Sequence, residues 1–194
     1  MKVGLFGGTF NPVHKGHVSC AVTVYNQYNL GKILFVPAKI PVHKEFTDDT
    51  GSVHRIEMLK IAIGDYSFLE VSSVEIDRAE PSYSIITVRD FQNRFPDDEF
   101  YFIMGTDSLN TFNTWRDNEK LGRMIPFIII RRPGELIDEK MIKFIDKVYI
   151  ADNEELCISS SQIRKTINLG QPVNNDMLDV RVLEYIFYKG LYRN

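Results

Sequence analysis

An eleven-residue segment near the N-terminus, Gly7-Gly8-Thr9-Phe10-Asn11-Pro12-Val13-His14-Lys15-Gly16-His17, concentrates residue types suited to phosphate chemistry. It follows the apolar run Val3-Gly4-Leu5-Phe6 and precedes a stretch with helical periodicity. Gly7 and Gly8 let a backbone approach a ligand closely. A helix N-terminus has unpaired N–H groups and a partial positive charge, which suit phosphate. His14 and His17, three residues apart at that terminus, can share one face. Two imidazoles aimed at a polyphosphate donate hydrogen bonds and, when protonated, offset its charge. Other readings of the same residues stand beside this one. Gly-Gly after a strand is often only a turn. Two histidines three apart can ligate a metal, although zinc needs three or four ligands and no acid or thiol lies in the segment. The spacing matches neither GxGxxG nor GxxxxGK[ST].

A second constellation is Ile158-Ser159-Ser160-Ser161-Gln162-Ile163-Arg164. Serine at a helix start caps free N–H groups. Serines followed by arginine can also clamp phosphate, because a guanidinium presents a planar fork of donors. The plainer reading is an N-cap with a surface arginine. Between the two lie five further candidates. Pro41-Val42-His43-Lys44 is a loop whose basic residues could reach phosphates, or simply be solvated. Arg78 and Pro81-Ser82-Tyr83-Ser84 end in a hydroxyl that could meet a ligand, cap the next helix, or both. Gly105-Thr106-Asp107 follows an apolar run and could cap the next helix. Trp115-Arg116 sits in polar sequence company, which fits a tryptophan stacked on a ligand ring. Arg131-Arg132-Pro133-Gly134, at the end of an apolar run, reads on its own as a surface turn.

Short apolar runs must position these residues. Val3–Phe6, Ile33–Val36, Phe68–Val71, Phe100–Met104, Phe127–Ile130 and Val148–Ile150 read as strands. Near-continuous apolar strands imply a sheet covered on both faces. Helical spacing links Val18, Ala21, Val22, Tyr25 and Tyr28, and again Ile85, Val88, Phe91 and Phe95. Ser52 would cap a helix burying Ile56, Leu59 and Ile63. The alternation predicts an α/β fold with a doubly wound parallel sheet and right-handed crossovers. Residues 1–194 form one domain on this reading, with 159–194 a C-terminal helical extension of two helices. Ligands of such sheets sit at the strands' carboxyl ends, where both motifs would fall.

Bulk properties narrow the partners. The chain has 194 residues, 44% hydrophobic and 25% charged, as expected of a globular protein with a sizeable core. With 23 Lys+Arg against 26 Asp+Glu, the net charge is −3. No global basic field draws it to nucleic acid or a membrane, though a local basic pocket remains open. No apolar stretch approaches the ~20 residues of a membrane span. The two cysteines, Cys20 and Cys157, are too few for a disulfide framework. Both read as small buried hydrophobes in a cytoplasmic protein.

The first motif resembles the HxGH signature of the nucleotidyltransferase superfamily, in the GGTFNPVHxGH form of the nicotinate mononucleotide adenylyltransferases. The second resembles that family's ISSTxIR, with Ser161 for threonine. Pro41–Lys44 resembles its PPHK loop, with Val42 for proline. Residues 78–84 resemble R-x-G-x-S-Y-T, with Glu80 for glycine and Ser84 for threonine. Gly105–Asp107 resembles G-x-D, and Arg132–Gly134 resembles RPG. The close at Gly190-Leu191-Tyr192 also resembles the family's. The resemblance spans nearly the whole chain and implies a Rossmann-like nucleotidyltransferase fold.

It further implies transfer of the adenylyl group of ATP to nicotinate mononucleotide, with release of pyrophosphate, in NAD biosynthesis. Mg²⁺ would be carried with ATP, and no dedicated metal site is expected. Catalytic roles fall to His17 at the α-phosphate, His14 at the rest of the triphosphate, and Lys44 and Arg164 at the leaving pyrophosphate. ATP binding falls to Gly7, Gly8, Thr9, Phe10, His14, His17, Gly105, Asp107, Arg132, Ser159, Ser160, Ser161 and Arg164. The nicotinate nucleotide would meet Asn11, His43, Lys44, Ser84, Trp115 and Arg116. The amide nucleotide is the competing acceptor, and a non-catalytic nucleotide sensor on the same fold is the competing class. Homo-oligomerisation stays open.

Overall fold

The computed structural model describes residues 1–39 and 50–193. Six strands form one sheet: β1 (Lys2–Gly8), β2 (Lys32–Pro37), β3 (Leu69–Val71), β4 (Glu99–Gly105), β5 (Phe127–Ile130) and β6 (Val148–Ile150). Their order is β3-β2-β1-β4-β5-β6, and every pairing is parallel. The expected doubly wound α/β sheet is present.

The pleat explains why these strands are apolar throughout. Successive side chains alternate between faces. Ile33 and Phe35 of β2, Tyr101 and Ile103 of β4, and Ile128 and Ile130 of β5 enter one core. Leu34 and Val36, Phe100, Phe102 and Met104, and Phe127 and Ile129 enter the other. Both faces are therefore covered by helices, as a parallel sheet requires.

The first core is closed by α1 (Lys15–Gln27), α2 (Gly51–Ile63) and the last two helices of the chain. The second is closed by α3 (Ser84–Arg94) and by short elements after β4. These are α4 (Thr106–Leu109), a 3-10 turn (Phe112–Thr114) and α5 (Asn118–Met124). A further turn of helix, α6 (Glu139–Ile142), precedes β6. After β6 come α7 (Ser160–Asn168) and α8 (Val180–Lys189), with no further strand among the described residues, as the tail's pattern implies. Ile163 and Ile167 of α7 and Val182 and Ile186 of α8 are buried in the first core. Among the described residues no helix is long and apolar enough to cross a membrane.

Four expectations need correction. Ser52 does not cap α2, which begins at Gly51 with Thr50 before it. Ser84 is the first residue of α3, not its cap, and Tyr83 takes the flanking position. Phe95 lies just beyond α3 and is half exposed, so the apolar stripe of that helix ends at Phe91. Cys20 is buried, but Cys157 is exposed, on the irregular segment leading into α7.

Candidate functional site

The carboxyl end of β1 runs into the first motif, and the local sequence explains its shape. Phe10 takes a left-handed conformation (φ 50°). This folds its ring back over Gly8, where a Cβ would sit 2.7 Å from the ring. The absence of a Cβ at Gly8 thus makes room for Phe10. Phe10 packs edge-on against Phe6 and His17, so the loop is anchored in the core. His14 takes the N-cap position of α1, in extended conformation. Its imidazole lies over Gly16, where a Cβ would come within 3.1 Å of Nδ1. The glycine between the two histidines therefore has a steric cause.

The histidine pair is stacked, with ring centroids 3.7 Å apart and planes at 28°. The backbone N–H of His14 donates to Nδ1 of His17 at 3.2 Å. A nitrogen that accepts cannot carry the proton, so the proton of a neutral His17 sits on Nε2. His14 is 3% exposed. Burial, assisted by the Arg132 guanidinium, lowers its pKa from 6.5 to about 3. His14 is therefore neutral in the free protein, where hydrogen-bond donation rather than charge is what its ring offers. The free amides expected at the start of α1 are also mostly engaged. His14 N–H is taken by His17, Lys15 N–H by the Met177 carbonyl at 3.0 Å, and His17 N–H by the His14 carbonyl at 2.9 Å.

The second motif closes over the first. Ser159 caps α7, its hydroxyl accepting from Gln162 N–H at 3.1 Å. The Ser160 hydroxyl donates to the Pro12 carbonyl at 2.9 Å. Arg164 donates through Nη1 to the Asn11 carbonyl at 2.8 Å and through Nη2 to the Ser161 hydroxyl at 3.4 Å. Two segments about 150 residues apart in sequence are thus pinned at one point by two polar side chains, Ser160 and Arg164.

Between them opens a cleft of about 930 Å³, at the upper end of the ~300–1,000 Å³ range of small-molecule sites. Its lining includes Gly7 to Asn11, His14 and His17, Gly105 and Asp107, Arg132, Ser159 to Ser161, and Arg164. Every residue assigned to ATP from the sequence lines this one cavity. Arg132 is held in place by two contacts. Its backbone N–H donates to the Thr106 hydroxyl at 3.0 Å, and its Nε lies 3.8 Å from the Asp107 carboxylate.

The residues assigned to the nicotinate nucleotide are distributed differently. Asn11 lines the cleft, but its side chain accepts from the Tyr192 hydroxyl and its carbonyl from Arg164. Ser84, Trp115 and Arg116 are not part of the cleft lining. They are nonetheless near one another through Tyr83, whose ring lies 4.7 Å beneath the Arg116 guanidinium. Trp115 has polar sequence neighbours, yet in space it meets Phe102 edge-on at 6.0 Å and Phe112 at 5.5 Å. It is a partly buried margin of the second core. His43 and Lys44 lie outside the described residues.

Several lining residues were missed from the sequence. Lys165 and Asn168 follow Arg164 on α7, and Cys157 sits just before Ser159. Lys165 had a usable signal, being a second cation beside Arg164. Cys157 and Asn168 had none. Asn153 was also missed. Its amide takes the Arg131 N–H at 2.9 Å and donates to the Arg131 carbonyl, fixing the turn that presents Arg132. Among the described residues no cluster of three His, Cys, Asp or Glu side chains is arranged to hold a metal ion.

Comparison with known proteins agrees with this geometry. Residues 5–166 match the cytidylyltransferase-like family model. A nicotinate-nucleotide adenylyltransferase of Bacillus subtilis is 36% identical over 193 residues, covering 100% of this chain and 99% of that protein. The structure of the Plasmodium falciparum nicotinic acid mononucleotide adenylyltransferase complexed with NaAD superimposes with a TM-score of 0.82 at 26% identity. That match covers 98% of this chain and 97% of the other. A second structure of the Plasmodium protein, complexed with APC, gives a TM-score of 0.81 at 25% identity. This chain belongs to the cytidylyltransferase-like family, and within it to the nicotinate-nucleotide adenylyltransferases.

Proposed function

We propose that the protein transfers the adenylyl group of ATP to nicotinate mononucleotide, giving nicotinate adenine dinucleotide and pyrophosphate in NAD biosynthesis. The observation that carries this reading is the joining of the two phosphate-type motifs at one cleft, through Arg164 on Asn11 and Ser160 on Pro12. The relatives' names and the NaAD held by the Plasmodium protein support the choice of acceptor.

The chemistry needs little from the protein beyond alignment and charge. An oxygen of the acceptor phosphate, already anionic at neutral pH, forms a bond to the α-phosphorus of ATP. The bond from that phosphorus to the bridging oxygen of the β-phosphate breaks, and pyrophosphate leaves. No serine nucleophile or general base is required, so rate comes from in-line positioning and electrostatic stabilisation. His17, with Nδ1 occupied, offers Nε2–H to the α-phosphate. His14, neutral and stacked on it, orients that ring and can donate to the triphosphate. Arg164 and Lys44 offset the leaving pyrophosphate. Asp107 meets a ribose hydroxyl, and Arg132 stands over the nucleotide. Mg²⁺ arrives as part of the substrate, on the phosphate oxygens. Ser84, Trp115 and Arg116 frame the nicotinate ring and its carboxylate.

Pyrophosphate release measured with ATP and each of the two mononucleotides in parallel tests the reading. Turnover with nicotinate mononucleotide at least ~10²-fold better in kcat/KM is expected, by polar discrimination between a carboxylate and an amide. Equal use of both would promote the amide nucleotide. No release with either would leave a nucleotide-binding protein without this activity.

A further inference from the structure

Arg55 of α2 is fully buried, an unusual place for a guanidinium. Its Nη1 donates to the Thr9 carbonyl at 2.8 Å, and its Nη2 donates to the Lys39 carbonyl at 3.4 Å. Thr9 belongs to the cleft. Lys39 lies just past the carboxyl end of β2, and it is itself doubly anchored. Its backbone N–H donates to the Ser82 hydroxyl at 2.8 Å, and its ammonium donates to the Arg78 carbonyl at 2.6 Å. The Ser82 side chain also bonds Glu75. Glu75 accepts from the Thr87 hydroxyl at 2.5 Å, and Thr87 in turn accepts from Arg78 at 2.9 Å. Asp90 holds the other arm of Arg78 at 3.3 Å.

A continuous polar path therefore runs from the ATP cleft at Thr9, through Arg55 and Lys39, to the segment 78–82. Two residues beyond that segment is Ser84, on the acceptor side. An apolar side chain would fill the Arg55 site without the cost of burying a charge. The guanidinium fork does what an apolar side chain cannot, fixing two carbonyls from two loops at once.

We propose that Arg55 and Lys39 are positioning residues that set the ATP-side loop and the acceptor-side loop in register, so that the acceptor oxygen and the α-phosphorus meet in line. The inference rests on the adenylyl-transfer reading. Neither residue touches the reacting atoms. Their effect is on the separation of the two loops, and a misplacement of about 1 Å costs on the order of 10²-fold in rate.

The test compares wild type with Arg55→Lys, Lys39→Met, Ser82→Ala and the Lys39→Met/Arg55→Lys double variant. Steady-state kinetics with ATP and nicotinate mononucleotide are measured alongside thermal unfolding. Arg55→Lys and Lys39→Met are expected to lower kcat by about tenfold or more, with each KM changed less than about threefold. Ser82→Ala, which removes one hydroxyl, is expected to lie between them and wild type. The double variant should fall little below the worse single one, because both residues act along one path. If Arg55→Lys fails to fold, Lys39→Met and Ser82→Ala still decide the matter. Variants that lose melting temperature but keep kcat would show a merely structural role and overturn the proposal. An inactive wild type would instead overturn the parent reading and this inference with it. Active wild type with fully active variants overturns this inference alone.

Discussion

His14 gives the most quantitative handle on this molecule. Its ring is 3% exposed, stacked on His17 and under the field of Arg132, and its pKa is lowered from 6.5 to about 3. Between those two values the folded protein keeps His14 neutral while the unfolded chain takes up a proton. The unfolded state then binds more protons, so stability rises with pH across the window and falls as the solution is acidified. Each pH unit inside the window is worth about 1.4 kcal/mol. Going from pH 7 to pH 5 should therefore cost about 2 kcal/mol through this residue alone. The full effect is present above about pH 7, and little of it is lost until the pH passes below 6.5. Glu75 also shifts, its carboxyl raised chiefly by burial, and it contributes with the opposite sign. That contribution is common to any His14 variant. Denaturant unfolding of wild type and His14→Asn at pH 7 and pH 5 isolates the histidine as a difference of differences. The variant should lose about 2 kcal/mol less than wild type on acidification. An identical acid dependence in the two proteins would show that His14 is not held neutral by the fold, and the burial argument would fail.

Four other perturbations follow from the proposed mechanism. His17→Ala should lower kcat by ~10²–10³ with the fold intact, since on the proposed mechanism it removes the donor to the α-phosphate; near-normal turnover in a folded variant contradicts the role. Arg164→Ala loses the bonds to Asn11 and Ser161, so KM for ATP should rise and kcat fall, with Arg164→Lys only a partial rescue because it lacks the planar fork. Trp115→Ala should weaken the acceptor by ~1–3 kcal/mol in KM, by analogy with bases stacked on aromatic rings, and should also lower the melting temperature because the ring packs on Phe102 and Phe112; a melting effect without a KM effect would reduce it to a core residue. Ser84→Ala should narrow the acid-over-amide preference at constant KM for ATP, and an unchanged ratio would place carboxylate recognition elsewhere.

The strands were legible because each is an apolar run that a two-faced sheet demands. Phe127–Ile130 and Val148–Ile150 agree to the residue. The helical elements between 106 and 142 were not legible, since pieces of three to seven residues carry too few turns for a period to show. They exist because tertiary packing holds them. The cleft could be read from the sequence because its two motifs combine unusual residue types in fixed order. What escaped were residues whose role is spatial. Arg55 looks like a surface cation on a helix, and only the fold reveals that it is buried against Thr9 and Lys39. The packing of Trp115 on Phe102 and Phe112 was hidden in the same way, because its sequence neighbours are polar. The protonation state of His14 also depends on burial and on Arg132, neither of which is written near it.

The sheet order accounts for the division of labour. β1 lies at its centre, with β2 and then β3 on one side and β4, β5 and β6 on the other. Chain segments leaving β1, β4 and β5 supply Gly8 to Asn11, Asp107 and Arg132, which share the cleft. Segments leaving β2 and β3 supply Lys39 and residues 78–84, which do not. A transfer between two bound phosphates needs its two binding halves on opposite sides of one line, and the crevice above the central strand provides that line. The reaction brings its own nucleophile and its own leaving group. The burden on the protein then falls on holding two anionic substrates at bonding distance against their repulsion. Arg132, Arg164 and Lys165 line the cleft, and on the proposed mechanism their charge opposes that repulsion, while the contacts of Arg55 and Ser160 fix where the loops stand. Charge at the cleft and rigidity behind it are therefore separable, and substitutions in the first set should respond to ionic strength while those in the second should not.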